Sequence, residues 1–304
     1  MDLSGLLKQA FSITFTTRWL WLPSFLFTLA FDLPSLLLRP FLPRPADLID
    51  PTQYERWLLL AGEFVNNIPQ LVTGLFVLSI VLGILWAIAT IGQAVMIEGV
   101  AAYDADGSKS RLDYWRKGRS LLGRLVAIDA IVVFPLFLNL LLILVILGGI
   151  SGSLLLTLRR GDTLTLTPLL TALSVLILPL TCLILPLSIL AIIYRVIAFR
   201  FAALQNKRVG DAVRAVRPFL RSHFLNLFLL LIITALVSNG VNGLMVLFTE
   251  GVGWLSQNFV GPAGTLALDS AVLLIALGVA TMRNLFVSAS WTLGIQQLWA
   301  IGKG

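Results

Sequence analysis

Charged residues that lie in or at the edge of apolar stretches are the first candidates for chemistry: Asp32, Asp129, Asp269 and Arg283. A charge at membrane depth costs about 2.5–3.5 kcal/mol on insertion scales, so each is a functional candidate. Asp129 lies about 7–8 Å beyond Arg124 along a helix, and Arg283 lies about 12 Å from the same face if Trp291 marks that face. These depths predict an ion pair between Asp129 and Arg283. The alternatives to a functional role are an ion pair that only holds the helices together, or an Arg283 side chain that extends to the membrane–water interface.

Polar residues also interrupt the apolar stretches toward the opposite side. Asp32 precedes Pro34 in the first stretch, Asn239 and Asn242 alternate with glycines in the fifth, and Asp269 opens the sixth. Polar breaks with Gly or Pro at matching depths are typical of the discontinuous helices that form transporter binding sites. They are equally typical of helix ends, which we favour because no acidic residue lies near a midplane.

Arginine pairs form a third candidate site. Arg116 with Arg119, and Arg214 with Arg217, lie on one helical face, where each cation gains about 1 kcal/mol from anionic lipid. We therefore expect these residues to contact lipid headgroups, with a specific phosphate clamp as the alternative. No recognisable nucleic-acid-binding module accompanies them, so nucleic acid is not an expected partner.

Enzyme signatures are missing from the sequence. It contains no glycine-rich phosphate loop, no His-Glu-x-x-His and no Gly-x-Ser-x-Gly motif. Cys182 is the only cysteine and His223 the only histidine, which excludes a cysteine cluster and a histidine-rich metal site. We expect neither enzymatic activity nor a cofactor.

The elements that must position these residues are membrane-spanning helices. The 304 residues are 58% hydrophobic and only 12% charged, with mean hydropathy +0.95. A soluble chain of this length could not bury that much apolar surface. Six apolar stretches are long enough to cross a bilayer, near 19–38, 70–98, 122–150, 168–200, 224–248 and 267–294. We predict an all-α, polytopic transmembrane bundle that forms a single membrane domain over residues 1–304.

The distribution of cations predicts the orientation of this bundle. The segment 101–124 carries six lysines and arginines, and the segment 195–221 carries seven. The positive-inside rule places both segments in the cytoplasm. Both termini then lie in the cytoplasm as well, in a plasma or inner membrane whose anionic inner leaflet is the expected lipid partner.

These two basic linkers share a sequence pattern. Residues 113–122 and 211–220 both read Asp-x-x-Arg-x-x-Arg-x-apolar-Leu, and each copy follows an Ala-Ala pair and precedes an apolar stretch. Apolar residues along one face predict amphipathic helices that lie in the membrane plane. With the N-terminus as a third copy, the pattern predicts three units, 1–100, 101–204 and 205–304, each an interfacial helix followed by a transmembrane hairpin.

The stretch 195–228, with Arg195, Arg200, Asp211 and Arg214, resembles a broad group of bacterial six-helix membrane proteins. That group includes the membrane domain fused to some glycerophosphoryl diester phosphodiesterases. The resemblance implies a six-helix membrane fold, but it does not imply hydrolysis, since the catalytic domain is not in this sequence. We expect a non-catalytic accessory or scaffolding subunit that contacts lipid and other membrane proteins. A small permease with a polar site at Asp32, Asn239, Asn242 and Asp269 is the alternative.

Overall fold

The computed structural model describes residues 1–38, 68–103, 111–135, 138, 166–259 and 262–301, and no strand occurs among them. The described helices are α1 (Leu3–Thr16), α2 (Trp21–Leu38), α3 (Ile68–Ala101), α4 (Arg111–Val132), α5 (Leu166–Leu204), α6 (Val209–Ser222), α7 (Phe224–Phe259) and α8 (Pro262–Ile301). A short 3-10 turn, Arg18–Leu20, joins α1 to α2. The predicted all-α class is confirmed for this part of the chain.

Four of these helices are long and apolar enough to cross a membrane, over Ser79–Ala101, Pro186–Leu204, Phe224–Ser256 and Ala267–Ile301. They coincide with the predicted second, fourth, fifth and sixth spans, and they fit a multi-pass membrane protein. The predicted first span coincides with α2. The predicted third span begins within α4, and its remainder lies largely outside the described residues. The count of six spans and the three-unit repeat stay predictions.

The polar segments predicted to break or end helices do neither in the described residues. Residues 238–243, which include Asn239 and Asn242, lie inside the continuous helix α7. Asp32 lies within α2, and Asp269 lies within α8, which begins seven residues earlier at Pro262. The helix breaks and helix ends expected at these segments are therefore wrong, whereas a polar site formed by these residues stays a prediction. A glycine costs a helix only about 1 kcal/mol, which is less than leaving several backbone groups unbonded in an apolar environment.

The two basic linkers fold differently from each other. Helix α6 ends at Ser222, and His223 (φ −124, ψ 21) separates it from α7. Helix α4, in contrast, runs without a break from Arg111 to Val132, so the first linker and the start of the predicted third span form one helix. The expectation that both linkers lie in the membrane plane therefore stays a prediction.

The described residues belong to two compact units. The first includes parts of Met1–Leu42, Leu78–Val126 and Ala198–Gly304, and the second includes parts of Pro43–Val77 and Ala127–Ile197. In the first unit, α8 packs against α1, α2 and α7. Its core is aliphatic and aromatic, with fully buried side chains such as Leu6, Ile97, Phe199 and Leu285. The single membrane domain stays a prediction.

Glycines allow helix backbones in the first unit to touch. A β-carbon on Gly92 of α3 would lie 2.5 Å from the Pro23 carbonyl oxygen of α2, which is closer than atoms can approach. Gly294 of α8 is similarly close to Leu230 of α7, at 2.8 Å. Only glycine permits the backbone contact at Gly92, whereas at Gly294 the nearest atom is the end of the Leu230 side chain, which can move.

Several helices of the first unit begin or end in the same region, which we call the linker end. Ala101 at the end of α3, Leu204 at the end of α5 and Trp299 near the end of α8 line a single cavity. Trp19, just before α2, lines a second cavity together with Tyr114 of α4. Helices α3, α5 and α8 therefore end where α2 and α4 begin, as expected for spans that alternate in direction.

Candidate functional site

A two-pronged ion pair joins α4 to α5 in the second unit. Arg195 Nε donates to Asp129 Oδ1 at 2.6 Å, and Arg195 Nη2 donates to Asp129 Oδ2 at 3.2 Å. The side chain of Asp129 is only 3% exposed and that of Arg195 is 16% exposed. Bidentate charge-assisted bonds of this kind fix geometry as well as charge. The arrangement neutralises a carboxylate that would otherwise be buried alone.

The sequence analysis missed Arg195 as a partner because it assigned this residue to a cytoplasmic linker. Helix α5 continues to Leu204, so Arg195 lies nine residues, or about 14 Å, before the helix ends. The apolar residues on both sides of Arg195 were the signal that could have revealed this. The predicted pairing of Asp129 with Arg283 would join residues of the two different units, and it stays a prediction.

Arg283 lies in a polar network that connects three helices of the first unit. Its Nη1 donates to Asn242 Oδ1 of α7, and its Nη2 donates to Asn284 Oδ1 at 3.1 Å. Asn284 Nδ2 in turn donates to Thr28 Oγ1 of α2 at 2.9 Å. The network therefore links α7, α8 and α2 through side chains. The sequence analysis did not identify Asn284 or Thr28, since single polar residues in apolar helices gave no pattern.

The depth of Arg283 in a membrane stays a prediction. That depth assumed that Trp291 marks the membrane surface, whereas Trp291 is buried and α8 continues to Ile301. Arg283 lies sixteen residues, or about 24 Å, before Trp299 at the linker end. The argument from similar depth therefore no longer supports its pairing with Asp129.

Of the four residues predicted to form a permease site, the structure brings only Asn242 into the network described above. Asn239 and Asp269 are exposed. Asp32 lies in α2, and its side chain is outside the described part of the structure. Next to the network, Ser24 Oγ of α2 donates to the Thr281 carbonyl oxygen of α8 at 2.6 Å. The polar groups at this interface therefore hold α2 against α8.

Arg200 is a second buried cation that the sequence analysis assigned to a linker. Its side chain is almost completely buried between α5 and α8. Arg200 Nε donates to Thr292 Oγ1 at 3.2 Å, and Nη2 donates to the Ser288 carbonyl oxygen at 3.0 Å. Because both acceptors belong to α8, Arg200 ties the end of α5 to the core of the first unit.

A third polar contact joins α3 to α4. Lys117 Nζ donates to Glu98 Oε2 at 2.7 Å, and the side chain of Glu98 is 9% exposed. The other carboxylate oxygen, Glu98 Oε1, is buried without a hydrogen-bond partner in the described structure. The next residue, Gly118, lies against Val95 of α3, so this contact is at a point where the two helices approach closely.

The arginines predicted to contact lipid, Arg116, Arg119, Arg214 and Arg217, are all exposed. Arg116 lies 3.9 Å from Asp113. On α6, the face opposite the arginines is buried through Ala212, Val216 and Phe219. The Phe219 ring packs edge-on against Phe201 of α5 at 5.5 Å. The apolar face predicted to point into the membrane is Val209, Val213, Val216 and Leu220, of which only Val216 belongs to the buried face, and Phe219 packs against Phe201 and Trp299.

Two cavities lie at the linker end. The larger, of about 530 Å³, is lined by Ala101, Leu204, Gln205, Gln296, Trp299 and Ala300. The smaller, of about 270 Å³, is lined by aromatic residues including Trp19 and Tyr114 together with Arg111. None of the predicted permease residues lines either cavity. Within the described ranges, no group of three or more His, Cys, Asp or Glu residues is placed to hold a metal ion.

Comparison of the chain with family models, with curated proteins and with solved structures finds no match. The resemblance of residues 195–228 to a six-helix membrane group, and the topology that it implies, therefore stay predictions.

Proposed function

We propose that this chain is a non-catalytic accessory or scaffolding subunit of a membrane protein assembly, and that α7 contacts the partner. The observation that supports this proposal is the exposure of α7. Only 17% of the most apolar 18-residue stretch of α7 is buried within the chain. The corresponding share is 44% for the spans Ser79–Ala101 and Pro186–Leu204. A partner protein or lipid must cover the rest of this helix in the membrane.

The composition of one exposed face of α7 favours a protein partner over lipid alone. Residues at helical spacing share this face, which we call the asparagine face: Leu236, Asn239, Gly240, Gly243 and Leu247. Leu236 is 67% exposed and Leu247 is 71% exposed. Between them, the Asn239 amide has no hydrogen bond from its side chain to the described residues. An amide left unpaired in hydrocarbon is costly, whereas a hydrogen bond to a second helix contributes about 0.6–2 kcal/mol.

The glycines of the asparagine face add a steric argument. No atom lies within 4 Å of a β-carbon built on Gly240 or Gly243, so neither glycine is needed for packing inside the chain. Small residues on an exposed transmembrane face allow a second helix to approach closely enough for backbone contact. The asparagine face therefore has the size and polarity that a partner helix requires.

The buried charges support a structural role for the rest of the molecule. Arg195, Arg200 and Arg283 each bond to residues on a neighbouring helix. Lys117 does the same toward Glu98. These contacts hold helices together, and they account for the burial of these charges without a substrate.

Substitution of one glycine tests the proposal directly. Gly243→Leu places a bulky side chain on the asparagine face, so we expect the partner to be lost when the tagged chain is purified in mild detergent. Gly278→Leu is the matched control, since Gly278 is also exposed on a long helix with open space around its α-carbon. The control should retain a partner in fixed stoichiometry. A wild-type chain that purifies alone, or a partner that survives Gly243→Leu, contradicts the proposal.

The permease remains the second candidate, because the network that contains Arg283 and Asn242 joins α2, α7 and α8, the helices that carry the residues predicted to form its site. Its test uses the single cysteine of the chain, Cys182. In a Cys182→Ser background, Asn242→Cys should react with a membrane-impermeant thiol reagent if the network lines a water-filled path. Leu236→Cys, exposed on the same helix, is the control and should stay unlabelled. Equal protection of both positions would argue against a permease.

A further inference from the structure

We infer that three arginines on one exposed face of α6 bind the phosphate groups of anionic phospholipids in the leaflet next to the linker end. These residues, Arg214, Arg217 and Arg221, form what we call the arginine row. They are spaced three and four residues apart, which places them on neighbouring turns of one helix face. This inference does not depend on the proposed partner of α7.

Helix α6 presents the arginine row from a fixed position. The opposite face of the helix is buried through Ala212, Val216 and Phe219. The Phe219 ring contacts Phe201, with ring centroids 5.5 Å apart, and Trp299, with centroids 6.4 Å apart. Because α6 is anchored to α5 and α8, the backbone that carries the row is already in place before a ligand binds.

The charge of the arginine row is not neutralised by the described residues. The ion pairs found among them involve Arg116, Lys117 and Arg195, and none involves the row. The first linker differs in this respect. Its Arg116 lies 3.9 Å from Asp113, three residues earlier, whereas no ion pair is found between Arg214 and Asp211, which have the same spacing. Like charges three and four residues apart repel one another, and a phosphate between them removes that repulsion. The planar guanidinium also binds phosphate oxygens in a bidentate manner.

The apolar surface that follows the row identifies the ligand as a lipid. Helix α7 begins at Phe224, three residues after Arg221, and it is exposed from its first turn. Phe224 is 59% exposed and Leu225 is 67% exposed. The candidate span also starts at Phe224, so the row directly precedes the stretch that is apolar enough to cross a membrane. A phosphate bound to the row therefore lies at headgroup depth, with acyl chains beside the first turn of α7.

The experiment measures how tightly phosphatidylglycerol binds to the full chain in detergent, by native mass spectrometry of lipid titrations. Each cation at the headgroup level is worth about fivefold in affinity. We expect Arg217→Gln to weaken binding about fivefold, and the triple change of Arg214, Arg217 and Arg221 to Gln to weaken it on the order of a hundredfold. Arg208→Gln, an exposed arginine off the row at the start of α6, is the matched control and should change affinity less than twofold.

Two further arms identify the ligand class. Phosphatidylcholine should bind the wild-type chain weakly, and substitutions in the arginine row should not change its affinity. Inorganic phosphate should not displace phosphatidylglycerol, and efficient displacement would show a soluble-anion site instead of a lipid surface. If the triple variant does not fold, the single changes Arg217→Gln and Arg221→Gln decide the question. Equal lipid affinity for these variants and for Arg208→Gln overturns the inference.

Discussion

The ion pair between Asp129 and Arg195 makes a quantitative prediction about the second unit. Both side chains are mostly buried, and two hydrogen bonds join them at 2.6 and 3.2 Å. Removing one member leaves the other charge buried without its partner, which typically costs about 3–5 kcal/mol. We expect Asp129→Leu and Arg195→Leu each to lower the free energy of unfolding by about this amount.

The double variant separates the pair from its surroundings. The double variant Asp129→Leu/Arg195→Leu leaves no unpaired charge from this contact. We therefore expect its loss of unfolding free energy to be about 2–3 kcal/mol smaller than the sum of the two single losses. The assay is reversible unfolding in mixed detergent micelles, followed by circular dichroism. The free energies of the four variants give the coupling energy directly.

A parallel cycle tests the alternative partner. The earlier prediction pairs Asp129 with Arg283, so Asp129→Leu with Arg283→Leu would then show the larger coupling energy. The observed ion pair predicts a strong coupling of Asp129 with Arg195. Additive losses for Asp129 and Arg195 would refute the reasoning, because they would show that the contact at 2.6 Å carries little energy.

Two further stability predictions concern the first unit. Gly92→Ala should destabilise the chain by about 1–3 kcal/mol, since its β-carbon would clash with the Pro23 carbonyl oxygen. Gly83 is on the same helix but has open space around it, so Gly83→Ala should be neutral or stabilising in the same unfolding assay. Arg200→Gln should lower the melting temperature well below that of Arg208→Gln, because only Arg200 is buried and bonded to α8; similar melting temperatures would contradict a structural role for Arg200.

The sequence predicted the class of the fold well because composition decides it. Long apolar runs must be helical in a bilayer, and the described helices at Ser79–Ala101, Phe224–Ser256 and Ala267–Ile301 follow that rule. The ends of helices were predicted less well. Polar residues such as Asn239 suggested a break, but a continuous helix already satisfies its own backbone hydrogen bonds, so a few polar side chains do not end it.

The partners of the buried charges could not be predicted from the sequence. Arg195 and Arg200 are the first cations after a long apolar stretch, so they resemble the start of a basic linker, whereas both lie within α5. Which side chain Arg195 contacts depends on the rotation of α4 about its axis, and hydrophobic periodicity in such apolar helices fixes that rotation weakly. The buried face of α6 shares only Val216 with the face predicted from periodicity, because Phe201 and Trp299, which pack against Phe219, are distant in the sequence.

Site-specific photo-crosslinking in the native membrane tests the proposed accessory role most directly. A photoreactive amino acid at position 239 lies on the asparagine face, and one at position 275 replaces Ile275, which is exposed on α8. The proposal predicts a discrete adduct with a second, different protein from position 239 and none from position 275. No adduct from position 239, an adduct with another copy of this chain, or the same adduct from both positions would contradict it.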